Sequence, residues 1–368
     1  MKITNIQYFV FLIVGLFSAI IISPSIVYAA EENSTSSTNN STSTTLNNTD
    51  VDFATNIEFI KGHLFAATSN KQDGNNELTQ THTFHPIVEI YSLIRDQLVA
   101  ADDKLNKTLS GSLNNLTSIV FSSTPEEFKE SANSVKSLLD DALAKAIPGN
   151  EISDVKFNMS ILLNLLKTAE SEYNIGIANG TIANIAEYQD AKGFVNSAED
   201  LFNKTIQGLN QTTSTKFTIV NDLMNKLNTV IDNKQDATQV SALVNNITTT
   251  IPNILNIQLE DLAILVSSDE EPIELINNIR NLINQAVEKI KSGDYQNAET
   301  LVVESYLDNF EFLEPEIAKH DESLMKDTES LLREQFINLI REKADINDIQ
   351  KIIDQINLKI NEIEKIFQ

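Results

Sequence analysis

Ile349, Ile353, Ile356, Ile360, Ile363 and Phe367 recur at alternating steps of four and three residues. That spacing lays one apolar seam along one side of a helix. It predicts a core-facing bundle helix, with a coiled coil pairing two chains as the second reading. Elsewhere from Val51 onward the apolar period is also helical. With 10 Gly and 7 Pro in 368 residues, the chain has few breakers to interrupt long helices. The expected fold is all-α, an array of about twelve helices in three up-down bundle-like units.

The chain in order supplies the boundaries. Residues 1–29 carry Lys2, an uncharged run and a small-residue end at Val27-Tyr28-Ala29-Ala30, the pattern of a secretory signal peptide. An uncleaved anchor is the competing reading. Both place the rest of the chain outside the cytoplasm, secreted or held at the cell surface. Residues 30–50 are Ser/Thr/Asn-rich and have almost nothing to bury, so a disordered spacer is expected. Helical units are expected at 51–149, 150–256 and 257–368. Glycosylation sequons begin at Asn33, Asn39, Asn40, Asn47, Asn106, Asn115, Asn158, Asn179, Asn203, Asn210 and Asn246, making glycans an expected modification.

Composition excludes several functions. With 27 basic and 52 acidic residues, the net charge is −25. Such a chain repels nucleic acid and anionic lipid and draws cations. Without cysteine there is no disulfide, zinc-thiolate site, iron–sulfur cluster or covalently attached haem. No H-E-x-x-H, G-x-S-x-G or phosphate-cradling Gly loop occurs, and the paired E-x-x-H of a di-iron oxidase is absent. A binding protein rather than an enzyme is expected.

An offset of 219 residues sets Gly293 over Gly74, and the two ends of the chain then align without gaps. Asp102-Asp103 falls on Asp321-Glu322, Leu105 on Leu324, His85 on Glu304 and Glu89 on Asp308. The first and last units therefore read as a duplication around the middle one. Three of four histidines, His63, His82 and His85, lie within 23 residues. On an ideal helix His82, His85 and Glu89 fall within about 60° of one another, as do Glu304, Asp308 and Glu311. Imidazole with carboxylate suits iron or another divalent or trivalent transition metal. The opposing reading of the acidic stripe is a solvated face. Pro86 interrupts the first stripe, either kinking its helix between Glu77 and Leu105 or opening a new segment.

Two segments carry a family resemblance. One is SEYNIGIANGTIANIAEYQDAKGFVNSA, with Tyr173, Asn179-Gly180 and Ala186-Glu187-Tyr188; the other is GDYQNAETLVVESYLDNFEFLEP, with Glu304, Tyr306, Glu311 and Glu314. In this order they resemble the extracytoplasmic helical domain preceding the membrane part of bacterial high-affinity iron permeases of the oxidase-linked iron transporter family. The resemblance spans roughly residues 150–342. It implies capture or delivery of metal, most naturally iron, beside a membrane iron permease. It carries the family's acidic and tyrosine positions onto Glu187, Tyr188, Glu304, Tyr306, Glu311 and Glu314. The chain departs from the family in having no apolar run long enough for a membrane span after residue 30. The residues drawn into a metal site are thus His82, His85, Glu89, Glu187, Glu304, Asp308 and Glu311. The alternative function is a structural or adhesive helical surface protein without metal, self-associating through the Ile349–Phe367 helix.

Overall fold

The computed structural model describes residues 46–178, 180–264 and 272–368. The expected leader, and the tail up to residue 45, lie outside the described residues, as do the side chains of Asp308 and Pro315. Where the tail was expected to run to residue 50, helix α1 (Asn48–Gln72) has already begun.

The first unit continues with α2 (Asn76–His85), α3 (Tyr91–Ser118) and α4 (Pro125–Ala146). Gly74 turns the chain after α1 with φ +77°, backbone that glycine adopts without strain. Asn75 then caps α2 by accepting from the Leu78 N–H at 3.1 Å. Pro86 has no N–H to donate, and the ladder opens into a π-helical turn over Pro86–Ile90, closed by the Tyr91 N–H on the Pro86 carbonyl. Further on, α3 kinks at Asp102, whose Oδ1 accepts from the Leu105 N–H at 3.0 Å and restarts the helix. The helix expected from Glu77 to Leu105 is therefore interrupted twice, at Pro86–Ile90 and at Asp102. Thr124 and Glu127 close a capping box ahead of α4, with Pro125 at its first position.

The second unit opens with a single turn, α5 (Gly149–Ile152), followed by the long pair α6 (Val155–Gly176) and α7 (Ile185–Gln207). A two-residue hairpin joins the pair, Ile177 facing Ile182 and Ala178 facing Thr181. Helices α8 (Gln211–Lys216), α9 (Thr218–Asp232) and α10 (Ala237–Leu255) complete it.

The third unit repeats the first. α11 (Pro272–Lys291) ends in Gly293 at φ +80°, and Asp294 caps α12 (Tyr295–Ser305). A π-helical turn over Tyr306–Phe310 leads into α13 (Glu311–Glu329). Within α13, Asp321 breaks the helix and accepts from the Leu324 N–H at 2.9 Å. A longer π-helical stretch, Ser330–Phe336, passes into α14 (Ile337–Arg341), and α15 (Ile346–Glu364) closes the chain. Glycine turn, Asx cap and Asp kink recur at the offset read from the sequence. The duplication therefore shows in backbone geometry, where side-chain identity is low.

Burial groups the three expected units around two cores. The first and second share one continuous core running from Val51 to Leu262, while the third has a second core that Ile175 of α6 joins. Ile349, Ile353, Ile356, Ile360 and Ile363 are all 5% exposed or less and lie inside that third core. The seam offered for self-association faces the chain's own interior, which corrects that reading. Two glycan sites are corrected likewise. Asn106 is buried and hydrogen-bonded to Tyr91, and Asn158 is buried and donates to the Ile152 carbonyl at 2.9 Å. Among the described residues no helix is long and apolar enough to cross a membrane.

Candidate metal centre

Two glycines set the geometry. A Cβ on Gly193 would stand 2.4 Å from the Gly62 carbonyl oxygen, and one on Gly62 would stand 2.6 Å from a Phe194 ring carbon. Here α1 and α7 cross backbone against backbone. That closeness lets the next residue on α1, His63, reach Asp190 one turn back on α7, with Nδ1 to Oδ1 at 2.7 Å. Helix α2 packs alongside and brings His82 Nδ1 to the same oxygen at 2.9 Å, while His82 Nε2 meets Gln189 Oε1 at 2.8 Å. One turn later, His85 Nδ1 lies 3.3 Å from Asp190 Oδ2, yet finds no hydrogen-bond partner. Each of the four residues can present one ligand atom such that all lie within 4.8 Å of one another. None of the four is more than 7% exposed.

Electrostatics set the protonation of each group differently. Burial alone would raise the Asp190 carboxyl, but His63 and His82 hold it well below the usual carboxylate range. Burial opposes a charge on His82; the Asp190 carboxylate outweighs it, and the pKa rises. Burial lowers His85, and the Arg333 guanidinium lowers it further. A neutral imidazole is the form that binds a metal.

Arg333 closes the far side. Its Nη2 donates to His85 Nε2 at 2.8 Å, its Nε to Glu89 and its Nη1 to Glu329, and Glu187 Oε1 lies 3.5 Å from Nη1. The guanidinium also stacks 5.5 Å from the Tyr306 ring centre. Beyond it lie more buried acids. Glu172 on α6 and Glu311 and Glu314 on α13 are 9%, 4% and 2% exposed. Burial, then neighbouring carboxylates, raise all three, Glu311 to about 8. A cavity of about 440 Å³ runs along these groups, touching His63, Asp190, Glu89, Glu172, Glu311 and Arg333. Asp52 and Glu304, both half-buried, also line it. Burial lifts Asp52 to about 6 and Glu304 above its ordinary value.

The residues drawn from the sequence fall in different places. His82 and His85 meet in the four-ligand cluster. Glu89 stands beside it, 3.9 Å from His85 Nδ1, but pairs with Arg333. Glu187 and Glu311 are buried on the carboxylate side, Glu304 lines the cavity, and the side chain of Asp308 is outside the described residues. The π-helical turns explain the difference from the helical wheel, because each falls between residues counted at 3.6 per turn. The site lies between α1, α2 and α7. Sequence reasoning left out His63 and Asp190. His63 had a signal in its nearness to two other histidines; Asp190 had only its place in the AEYQD segment.

Comparison with known proteins bears on one segment. Residues 148–258 match the iron permease-associated 4-helix bundle domain. The match covers the second unit, including the Asp190 that both imidazoles share. No curated protein and no solved structure matches the chain.

Proposed function

We propose that this chain binds a transition metal, iron foremost, at His63, His82, His85 and Asp190, and serves iron transport beside a membrane permease. The single observation that carries the reading is the cluster itself: four buried ligand atoms within 4.8 Å, one of them an orphaned imidazole nitrogen. Three nitrogens and one oxygen suit Fe(II), Zn(II) or Cu(II) better than a hard cation such as Ca(II). The domain match supports iron as the cargo, since Asp190 lies inside the segment related to iron-permease-associated bundles. The cavity supplies access, and the −25 charge concentrates cations around the molecule. Metal binding and delivery is the role proposed for this site, with the leader pattern of residues 1–29 as the support for a place outside the cytoplasm. The adhesive alternative loses its main support, because its pairing seam is buried.

The test is calorimetric. The chelator-stripped chain is titrated with Fe(II) under argon and with Zn(II). A single equivalent should bind tighter than about 1 µM, and His82→Ala or Asp190→Asn should abolish that phase. Binding insensitive to both substitutions would contradict the site.

A further inference from the structure

Six buried or nearly buried acids surround one guanidinium. Arg333 makes ion pairs within 4 Å with Glu89, Glu187 and Glu329. Glu172, Glu311 and Glu314 make no ion pair among the described residues, although none is more than 9% exposed. They converge from different parts of the fold, Glu172 from the second unit and Glu311 and Glu314 from successive turns of α13 in the third. Glu172 and Glu311 line the same cavity, and burial, with the neighbouring Glu187 and Glu311 carboxylates, pushes the Glu172 carboxyl up. Glu314 Oε1 is buried with no hydrogen-bond partner, and the carboxylates it faces, Glu329, Glu187 and Glu311, outnumber the one opposite charge, Arg333. Six carboxylates around a single guanidinium leave most of that charge uncompensated, which is costly inside a protein, and an unpaired oxygen there forfeits its hydration. A cation in their midst removes both costs. The cavity reaches Glu172 and Glu311, so a cation has a way in.

We propose that Glu172, Glu187, Glu311 and Glu314 form a second cation site, all-oxygen and distinct from the histidine cluster, for a hard di- or trivalent cation such as Fe(III). Arg333 stands between the two sites. It donates to His85 on one side and reaches Glu187 on the other, and so keeps imidazole ligands apart from carboxylate ligands. Nitrogen-containing and all-oxygen sites select differently among metals, softer divalent ions at the first and harder ions at the second. The inference goes beyond the function proposed above and stands on different residues.

The experiment uses Tb(III), a hard ion whose emission tyrosine sensitises; the chain has no tryptophan to complicate excitation. Tyr306, beside Arg333 and facing Glu314, is the expected sensitiser. Titrating the full chain should give a tight sensitised phase ahead of weak surface binding. The Glu172→Gln/Glu314→Gln variant should weaken that phase by on the order of tenfold or more, while His82→Ala leaves it unchanged. Zn(II) calorimetry on the same variants should show the reverse pattern. Since Gln removes repulsion without changing shape, the double variant should melt no lower than the parent, and single Glu314→Gln provides a milder check. Absence of a tight Tb(III) phase in the parent, or its survival in the folded double variant, overturns the proposal. Loss of Zn(II) binding in the parent with Tb(III) behaving as described would sink the histidine reading alone.

Discussion

The first and third units share a skeleton but not a chemistry. Gly74 and Gly293, Asn75 and Asp294, and Asp102 and Asp321 do the same work in each. Both also carry a π-helical turn ahead of the third long helix segment. The positions of His63 and His82, in contrast, are Leu282 and Leu301 in the third unit, and His85 is replaced by Glu304. The reason lies in what each unit touches. Gly62 on α1 meets Gly193 on α7, whereas its counterpart on α11 is Asn281, which is exposed. Backbone features persist because each unit needs its turns and caps. The three buried histidines appear only where a neighbouring helix comes close enough to complete a site, while the third unit's His320 is exposed.

Removing the shared carboxylate should break this difference most severely. Asp190→Asn leaves two imidazoles without their common partner, and should abolish tight Zn(II) binding and cost about 3 kcal/mol of stability. Calorimetry and chemical denaturation measure the two effects. A metal affinity within threefold of the parent would contradict the assignment.

Steric separation of α1 and α7 comes next. Gly193→Ala should cost about 1–3 kcal/mol and weaken metal binding, because the helices must move apart. Asn281→Ala at the matching place in α11 should change stability by less than about 0.5 kcal/mol. Equal melting points for the two variants would show that the α1–α7 contact is not special.

A smaller effect follows from the acids that the third unit contributes. Glu311 is neutral in the fold up to about 8, against 4.5 for the free side chain. A group displaced upward stabilises fully below its unfolded value and ceases to do so as pH climbs through its folded value. Glu172, Glu314 and His82 are displaced in the same direction. Asp190 and Glu89 are displaced downward, and their contribution is lost only in acid. The metal-free chain should therefore melt several degrees lower at about pH 8.5 than at about pH 5.5. Glu311→Gln should flatten that slope, and a parent protein with no slope would show the acids to be solvated.

The least effect is expected from moving histidines across. Leu282→His with Leu301→His should leave the Zn(II) stoichiometry unchanged, since α11 has no crossing partner like α7. A second equivalent in that variant would mean that local sequence alone makes the site.

Much of the fold was legible because it rests on local rules. The Ile349–Ile363 spacing, the Thr124-Pro125 start and the two glycine turns each declare themselves within a few residues. The π-helical turns were not, as they insert a residue without an apolar signature, and Pro86 alone hinted at one. The site was half legible. His82 and His85 stood out through the rarity of histidine, but Asp190 lies 105 residues beyond His85 in the chain. Its role depends on a glycine-to-glycine crossing that no periodicity reports. Glu304, Asp308 and Glu311 looked alike on a helical wheel, yet Glu311 is buried and Glu304 is only half-buried.

The most direct test of the central claim is anomalous diffraction from crystals of the chain grown with Zn(II), collected on both sides of the zinc edge. The account predicts an anomalous peak bonded to His63, His82, His85 and Asp190, with Arg333 still beyond His85. Zinc found only on surface carboxylates, with the Asp190–imidazole hydrogen bonds intact and no peak among them, would contradict it.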